Sequence, residues 1–489
     1  MPDSNIVDQQ RTSRNNKQLL NPTQGELLER SPFEAANVDP LASAAQYFNV
    51  VTEFPRPIEV PSDEWMMAAL RKKCAPDDAT LWDAPPQKKI AALSGFADGF
   101  LATEEHRQFA ISLTAAVAEC AELKGVERAR YRRILYRLPL VLNGGAALPS
   151  RQSVDLLAGR NFLLTGVVKA GRTAFLGRLR KMFGPPYRVE PHIVAAPAQV
   201  WYFPTLYVRW PRSNNVEGLV EAIRDVIAAE VKDPASEEQV VLRSLKGRNG
   251  VTAAIAACVL FNVGLLIIDG AVASHVGGDF EEILNFAALL RDYGVPVLLS
   301  CSEAFHRRTS YCDPDILNAF AGQVATFPPL LNPSEDPAAD DQTGVLPLWE
   351  TYCRFFWSQG LFCDARYPMP EALLAWTYRI CFGRVGWLSA GFHALHRYLA
   401  WNPDSIEKLT EGGVSAIFEE QLSHYGDARR VIKKAIDAEA AMKRVPPKLC
   451  DTVTESEFLR FMDYLPRNAA DLLSYTRVLK ITGKSRGGR

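Results

Sequence analysis

The stretch Asn161-Phe-Leu-Leu-Thr-Gly166-Val-Val-Lys169-Ala170-Gly171-Arg172-Thr173-Ala174 decides the fold. A short apolar run leads into a glycine turn, and an amphipathic segment, TAFLGRLRKMF (173–183), follows it. A P-loop needs this order: a strand, a glycine-rich turn whose backbone N–H groups wrap phosphates, a Lys, and a Ser/Thr for Mg²⁺ at the helix start. Gly166, Gly171 and Thr173 are in register, but the Lys position holds Arg172. Lys is a compact point charge and Arg a planar fork, so the exchange alters how the β/γ-phosphates would be met. Lys169 lies inside the loop as a substitute cation. The nucleotide-binding candidates are therefore Gly166, Lys169, Ala170, Gly171, Arg172, Thr173 and Ala174.

The second element is Leu265-Leu266-Ile267-Ile268-Asp269, a continuous apolar run of the kind buried on both faces of a sheet. It reads as a Walker B strand, with Asp269 and Thr173 as the Mg²⁺ pair. The residue after the acid, where a Glu would polarise the attacking water, is Gly270. Glycine has no side chain for that task, so no catalytic residue is assigned. A further apolar run, VPVLLSCS (295–302), ends at the sensor candidates Ser300 and Ser302. Phe305-His306-Arg307-Arg308 follows and supplies the arginine-finger candidates Arg307 and Arg308.

Around these motifs strand-like and helix-like segments alternate. VWYFPTLYVRW (200–210) is β-rich, 215–231 and 280–294 read as helix, and QVATFPPL (323–330) as a strand. This rhythm predicts a parallel sheet between helices. Five helical segments follow a turn-rich linker at 332–344: 349–357, 370–380, 387–399, 414–422 and 428–441. The expected fold class is α/β, an AAA+ P-loop NTPase core with an α-helical lid and a mostly helical N-terminal region. The expected domains are a disordered or partner-ordered segment at 1–45, a helical partner-interaction region at 46–150, the core at 151–331, the lid at 345–442, and a C-terminal extension with a basic tail at 443–489.

Bulk properties narrow the function. The chain has 489 residues and a formal net charge of −1, so no global basic field announces nucleic acid. DNA contact then falls to local cations: Arg178, Arg180 and Lys181 on the helix after the P-loop, with Lys246 and Arg248. The competing reading is a solvated helix face. The 9 cysteines are scattered without a C-x-x-C pair, as expected of reduced thiols. No apolar run reaches membrane-spanning length, so no membrane partner is expected. His393 and His396 lack a third ligand and read as packing histidines, and the tryptophans of 349–387 read as lid core.

These residues resemble TnsC, the AAA+ target-selection ATPase of heteromeric transposons, and its relative TniB. The resemblance lies in VVTEFPRPIEVPSDEW (50–65), in RVEPHIVAAPAQVWYFPTLYVRWPRSNNVEGLVEAIRDVI (188–227), in the 260–305 stretch from LFNVGLLIIDG to SEAF, and in the lid strings WETYCRFFWSQG and CFGRVGWLSAGFHALHRYLA. It implies a bacterial cytoplasmic regulator of transposition that uses ATP and Mg²⁺ as an assembly switch on DNA. The implied partners are TnsA/TnsB-like transposase subunits, a TnsD/TniQ-like target selector, and further copies of the chain or an active TnsC paralogue. The chain departs from the family at Arg172, at Gly270 and at the basic pair expected near ILNAFAGQV (316–324). Together these departures imply a pseudo-ATPase. Two alternatives stand beside it: a slow ATPase in which Arg172 and Asp279 or Glu281 take over, and a P-loop interaction module used in defence or signalling.

Overall fold

The computed structural model describes residues 60–465 apart from 77, 127, 143–145, 150–159, 190–199, 232–235, 247–249, 278, 310–319, 321–322, 336–345, 362–366 and 444–450. The expected disordered segment 1–45, the basic tail and Arg248 lie outside the described residues. Among the described residues, four α-helices precede the sheet: α1 (Asp63–Leu70), α2 (Pro86–Ala92), α3 (Glu104–Val126) and α4 (Arg128–Leu142). The P-loop strand β1 (Asn161–Gly166) leads through the loop into α5 (Arg172–Phe183). Then come β2 (Tyr187–Val189), β3 (Val200–Tyr202), β4 (Leu206–Arg209), α6 (Val216–Glu230), α7 (Ser236–Ser244) and α8 (Gly250–Leu260). The Walker B strand β5 (Leu266–Ala271), α9 (Phe280–Asp292), β6 (Val297–Cys301), α10 (Glu303–Thr309) and β7 (Gln323–Phe327) complete the core.

The five-stranded sheet has the order β4-β5-β6-β1-β7, and every pairing in it is parallel. β6 thus lies between the P-loop strand and the Walker B strand. The inner strands are apolar because both their faces are covered. Phe162, Leu164, Ile267 and Leu298 pack with Phe109 and Leu113 of α3 and with Phe175 and Leu179 of α5. Their neighbours Leu163, Leu266, Ile268 and Leu299 face the opposite way, onto Leu219 and Ile223 of α6, Ile255 of α8 and Phe286 of α9. The two-residue alternation of a strand produces this division. This is an α/β core, a parallel sheet with helices on both faces.

The β-rich run 200–210 divides into two strands. β3 pairs antiparallel with β2, whereas β4 joins the main sheet beside β5. Pro204 stands at the break and has no N–H to give a ladder, which ends one pairing before the next begins.

The lid comprises α11 (Leu348–Gly360), α12 (Ala372–Cys381), α13 (Val385–Trp401), α14 (Glu411–Gln421) and α15 (Gly426–Met442). Trp349, Phe356, Trp387, Phe392 and Phe418 form its interior, so the lid tryptophans 349 and 387 are core residues. His396 is buried beside them with its pKa pushed down to about 4 by burial, and His393 stacks on Phe96 at 5.7 Å. The N-terminal helices belong to both cores: Met66 and Leu70 of α1 pack on the sheet cluster, while Leu93 and Phe96 enter the lid. A helix, α16 (Glu455–Phe461), and a 3-10 turn at Met462–Tyr464 follow.

Lid and core are joined by backbone. The N–H of Leu330 donates to the carbonyl of Gly383 at 2.8 Å, and the N–H of Gly386 donates to the P-loop carbonyl of Lys169 at 2.9 Å. Gly383 has φ +72°, and a Cβ there would lie 2.1 Å from the Leu330 carbonyl oxygen. Backbone strain of this kind costs about 1–3 kcal/mol before the clash is counted. Gly383→Ala is therefore expected to lower unfolding free energy by at least about 2 kcal/mol in urea denaturation; a loss under about 0.5 kcal/mol contradicts the assigned lid–core joint.

Candidate nucleotide site

The P-loop lies at the C-terminal edge of the parallel sheet, where open α/β sheets place their ligands. Gly166 is required by packing, because a Cβ on it would lie 2.4 Å from the carbonyl oxygen of Phe327 on β7. Gly171 caps α5 in a left-handed conformation, φ +100°. The first-turn N–H groups of Arg172, Thr173 and Ala174 have no partners within the helix by geometry. Ala170 closes the turn with an N–H donated to Val167 at 3.3 Å.

Two sequence candidates meet. The Thr173 hydroxyl donates to Asp269 Oδ2 at 3.0 Å, although β6 lies between their strands. Asp269 is buried, 5% exposed, whereas Thr173 is exposed. A hydroxyl at a helix N-terminus and a buried carboxylate side by side are the donor set of an Mg²⁺–phosphate site, so the residues present fit that pair. Asp269 has a second partner that the sequence does not reveal. Tyr207, on the adjacent strand β4, donates its hydroxyl to the same oxygen at 2.9 Å. Burial first, then the negative charge of Asp269, pushes the Tyr207 phenol up to about 12. In sequence Tyr207 is one aromatic in a β-rich run, and nothing in its spacing marks it.

Arg172 is partly buried and reaches Ser300 at the end of β6, Nη1 to Oγ 3.5 Å. Burial lowers its pKa, opposed by Cys301, Asp269 and Asp463. Of the two sensor candidates, only Ser300 faces the P-loop cation. Ser302 caps α10, its Oγ accepting the N–H of Phe305 at 3.0 Å, and its hydroxyl donates to Asp463.

Gly270 sits in a left-handed conformation, φ +98°, at a register shift between β5 and β6. The space around it is open, since a Cβ there would meet nothing within 4 Å. The obstacle to a side chain is backbone geometry rather than crowding. The missing carboxylate is therefore built into the shape of the strand end.

The remaining candidates disperse. Lys169, φ +71°, places its ammonium 5.2 Å from the ring centre of Tyr425 in the lid. Arg308 donates to the carbonyl of Ala273 at 2.9 Å, within its own chain, and Arg307 is partly buried on the same helix. Arg178, read as a DNA contact, is corrected. It is 4% exposed and its guanidinium binds the carbonyls of Ala69, Leu70 and Arg71 at 2.7, 2.8 and 2.9 Å, satisfying the C-terminus of α1. Arg180 and Lys181 are exposed at the last turn of α5, where cations complement the helix dipole, and Arg180 lies 4.7 Å over the Tyr207 ring. Lys246 is exposed. Among the described residues no group of three or more metal-ligating His, Cys, Asp or Glu side chains is found, and no helix is long and apolar enough to cross a membrane.

No family model and no curated protein matches the sequence. Among solved structures, the chain is similar to the ORC2 protein of Aeropyrum pernix in ADPNP-ADP complexes, at 13% identity and a TM-score of 0.37, over 74% of this chain and 86% of that one. The ORC1 protein of Aeropyrum pernix in complex with DNA matches at 12% identity and a TM-score of 0.33, over 73% and 84%. Cdc6p from Pyrobaculum aerophilum matches at 12% identity and a TM-score of 0.30, over 72% and 86%. At these TM-scores the superpositions are loose, and the fold rests on the sheet order and the P-loop geometry.

Arg178→Ala leaves three helix-terminal carbonyls without their donor. Each such group costs about 1–3 kcal/mol when buried, so a stability loss of about 3 kcal/mol or more is expected by denaturant unfolding. If stability holds and DNA affinity falls instead, the buried placement of Arg178 is wrong.

Proposed function

We propose that the chain is a TnsC-like regulator of DNA transposition in which nucleotide binding acts as a structural signal with little or no hydrolysis. The carrying observation is the contact of Thr173 with Asp269 at 3.0 Å beside a strand end that holds Gly270 at φ +98°. The first keeps the position for Mg²⁺ and phosphate. The second removes the carboxylate that would position water. When bound, Mg²⁺ would supply charge neutralisation for the phosphates. The chain's own residues hold and orient: the P-loop N–H groups receive phosphate oxygens, Arg172 adds positive charge beside Ser300, and Tyr207 keeps Asp269 in place. Phosphoryl transfer depends almost wholly on positioned charge and an oriented nucleophile, so loss of the Glu position removes much of the rate.

The family resemblance supplies the biological role. A bridge between target DNA or a TnsD/TniQ-like selector and TnsA/TnsB-like transposase subunits would use the ligand-bound fold as a scaffold, in a homo-oligomer or beside an active TnsC paralogue. Binding of ATP and Mg²⁺ and residence in the bacterial cytoplasm belong to this reading. The slow-ATPase alternative assigns the base to Asp279 or Glu281. Both stand at the start of α9, with Asp279 as its N-cap and Glu281 in its first turn, rather than on the end of the Walker B strand.

Calorimetry with ATP and ADP, with and without Mg²⁺, tests the site. Mg²⁺-dependent binding is expected, reduced about tenfold or more, or about 1.4 kcal/mol, by Thr173→Ala, which removes the hydroxyl that would ligate Mg²⁺. Phosphate release is expected to stay at background with DNA present, and Gly270→Glu is not expected to raise it. Substantial DNA-stimulated release by the wild-type chain sinks the scaffold reading in favour of the slow ATPase.

For DNA, Arg180, Lys181 and Lys246 are the candidate cations that are described and exposed. Neutralising Lys181 and Lys246 is expected to weaken binding on all sequences and to reduce the salt slope of affinity by about one for each phosphate no longer neutralised. An unchanged slope assigns these residues to a solvated face.

A further inference from the structure

The described part of the C-terminal segment, 451–465, packs on the lid and touches the P-loop edge through its 3-10 turn. Val453 and Leu465 are buried in the lid core. α16 begins with a reciprocal cap between Thr454 and Glu457, and Glu457 also accepts from Lys434 of α15 at 3.0 Å. The following 3-10 turn crosses to the sheet edge, where Met462 is buried against Ala273 and Ala304. Behind it, Tyr464 accepts from Arg384 through its carbonyl and stacks its ring on Trp387 at 6.3 Å. Arg384 is 1% exposed, and burial pushes its pKa down to about 10.

Asp463, in the middle of this turn, touches three parts of the P-loop machinery at once. Its carbonyl accepts the N–H of Val168 inside the P-loop at 3.0 Å. Its Oδ1 accepts the N–H of Ala273, in the loop after the Walker B strand, at 2.9 Å. The same oxygen accepts the Ser302 hydroxyl at the end of β6. Arg172 is close enough for its charge to interact with Asp463. The groups around this carboxylate are N–H and O–H donors plus one guanidinium, which is the chemistry of an anion site. The chain has filled it with an anion of its own.

We infer that residues 451–465 form an intramolecular strap whose Asp463 competes with the terminal phosphate of a nucleoside triphosphate, so that triphosphate binding and strap docking oppose each other. The inference rests on the reading that the P-loop takes nucleotide. Two physical reasons support it. The strap occupies a P-loop N–H and the polar end of the sensor strand, which a triphosphate would engage at the same edge. A fixed carboxylate beside a γ-phosphate is also a like-charge contact in a partly desolvated place, which disfavours the charged ligand. A diphosphate lacks that terminal group and is tolerated with the strap in place. A ligand that prefers one of two states shifts the population by its differential affinity, so triphosphate would release the strap and uncover Ala273, Ala304 and the α10 face.

The test uses the full chain. Asp463→Ala and Asp463→Asn are titrated with the triphosphate analogue adenosine 5′-(3-thiotriphosphate) and with ADP, each with Mg²⁺. Wild-type protein is followed by hydrogen exchange over 451–465 with and without the analogue. Asp463→Ala is expected to bind the triphosphate at least about tenfold more tightly with ADP affinity changed less than about twofold. Asp463→Asn, which keeps an acceptor but no charge, should lie between, and exchange over 455–465 in the wild type should rise with the analogue. Equal or weaker triphosphate binding by Asp463→Ala overturns the strap and leaves the nucleotide reading intact. So does unchanged exchange in wild type saturated with the analogue, and this measurement decides if the variants do not fold. Failure of wild type and variants alike to bind either nucleotide overturns both.

Discussion

The hydrogen bond from Thr173 to Asp269 ties together two strands that are not neighbours. β1 and β5 are separated by β6, so their loops meet only because the parallel sheet brings every strand's C-terminal end to one edge. Removing that alignment would leave Asp269 as a buried carboxylate whose hydrogen-bond donor among the described residues is Tyr207. A buried carboxylate needs such donors, since a charge without them is expensive inside a protein. The meeting of Thr173 and Asp269 at this edge is therefore a structural necessity of this core, whether or not chemistry happens there. This explains how the fold holds Thr173 and Asp269 together beside a glycine at 270.

Gly270 and Arg172, the two departures from the P-loop pattern, follow different rules. Gly270 adopts a φ that only glycine takes without strain, at a register shift of the sheet. The strand end has settled into a geometry that excludes the Glu side chain, even though space is available. Arg172 shows the opposite behaviour. Its longer, planar head reaches past the P-loop to Ser300, and the neighbouring acids Asp269 and Asp463 offset the burial of its charge. One departure changes the backbone and the other recruits new partners, so a single reverting substitution at either place does not recover the other.

The lid and the C-terminal turn close on this edge by different means. The lid docks through backbone: Gly383 and Gly386 bring α13 against Leu330 and Lys169 at distances that a side chain would crowd or block. The C-terminal turn docks through the carboxylate and carbonyl of Asp463, the carbonyl of Tyr464 and the apolar Met462. A backbone joint between rigid elements has little freedom. A turn held by a few polar contacts at a solvent-facing edge is the kind of element that a competing ligand can move.

Much of the architecture is legible in the chain itself. The apolar runs ending in Gly166, Asp269 and Ser300 read as strands because central parallel strands are buried on both faces. The lid helices read from their apolar spacing, and the P-loop from its glycines. The split of 200–210 into two strands is hidden because the run is β-rich throughout and its partners lie elsewhere in the sequence. Arg178 resembles a surface cation because sequence shows its charge and not the α1 carbonyls it serves. Tyr207 and Asp463 carry no local signal at all. Sequence alone determined which residues line one strand or one helical turn, since those relations depend on period. Which distant groups share an oxygen, and which cation is buried, was decided only by the tertiary structure, because hydrogen bonds and desolvation depend on distance in space between segments far apart in the chain.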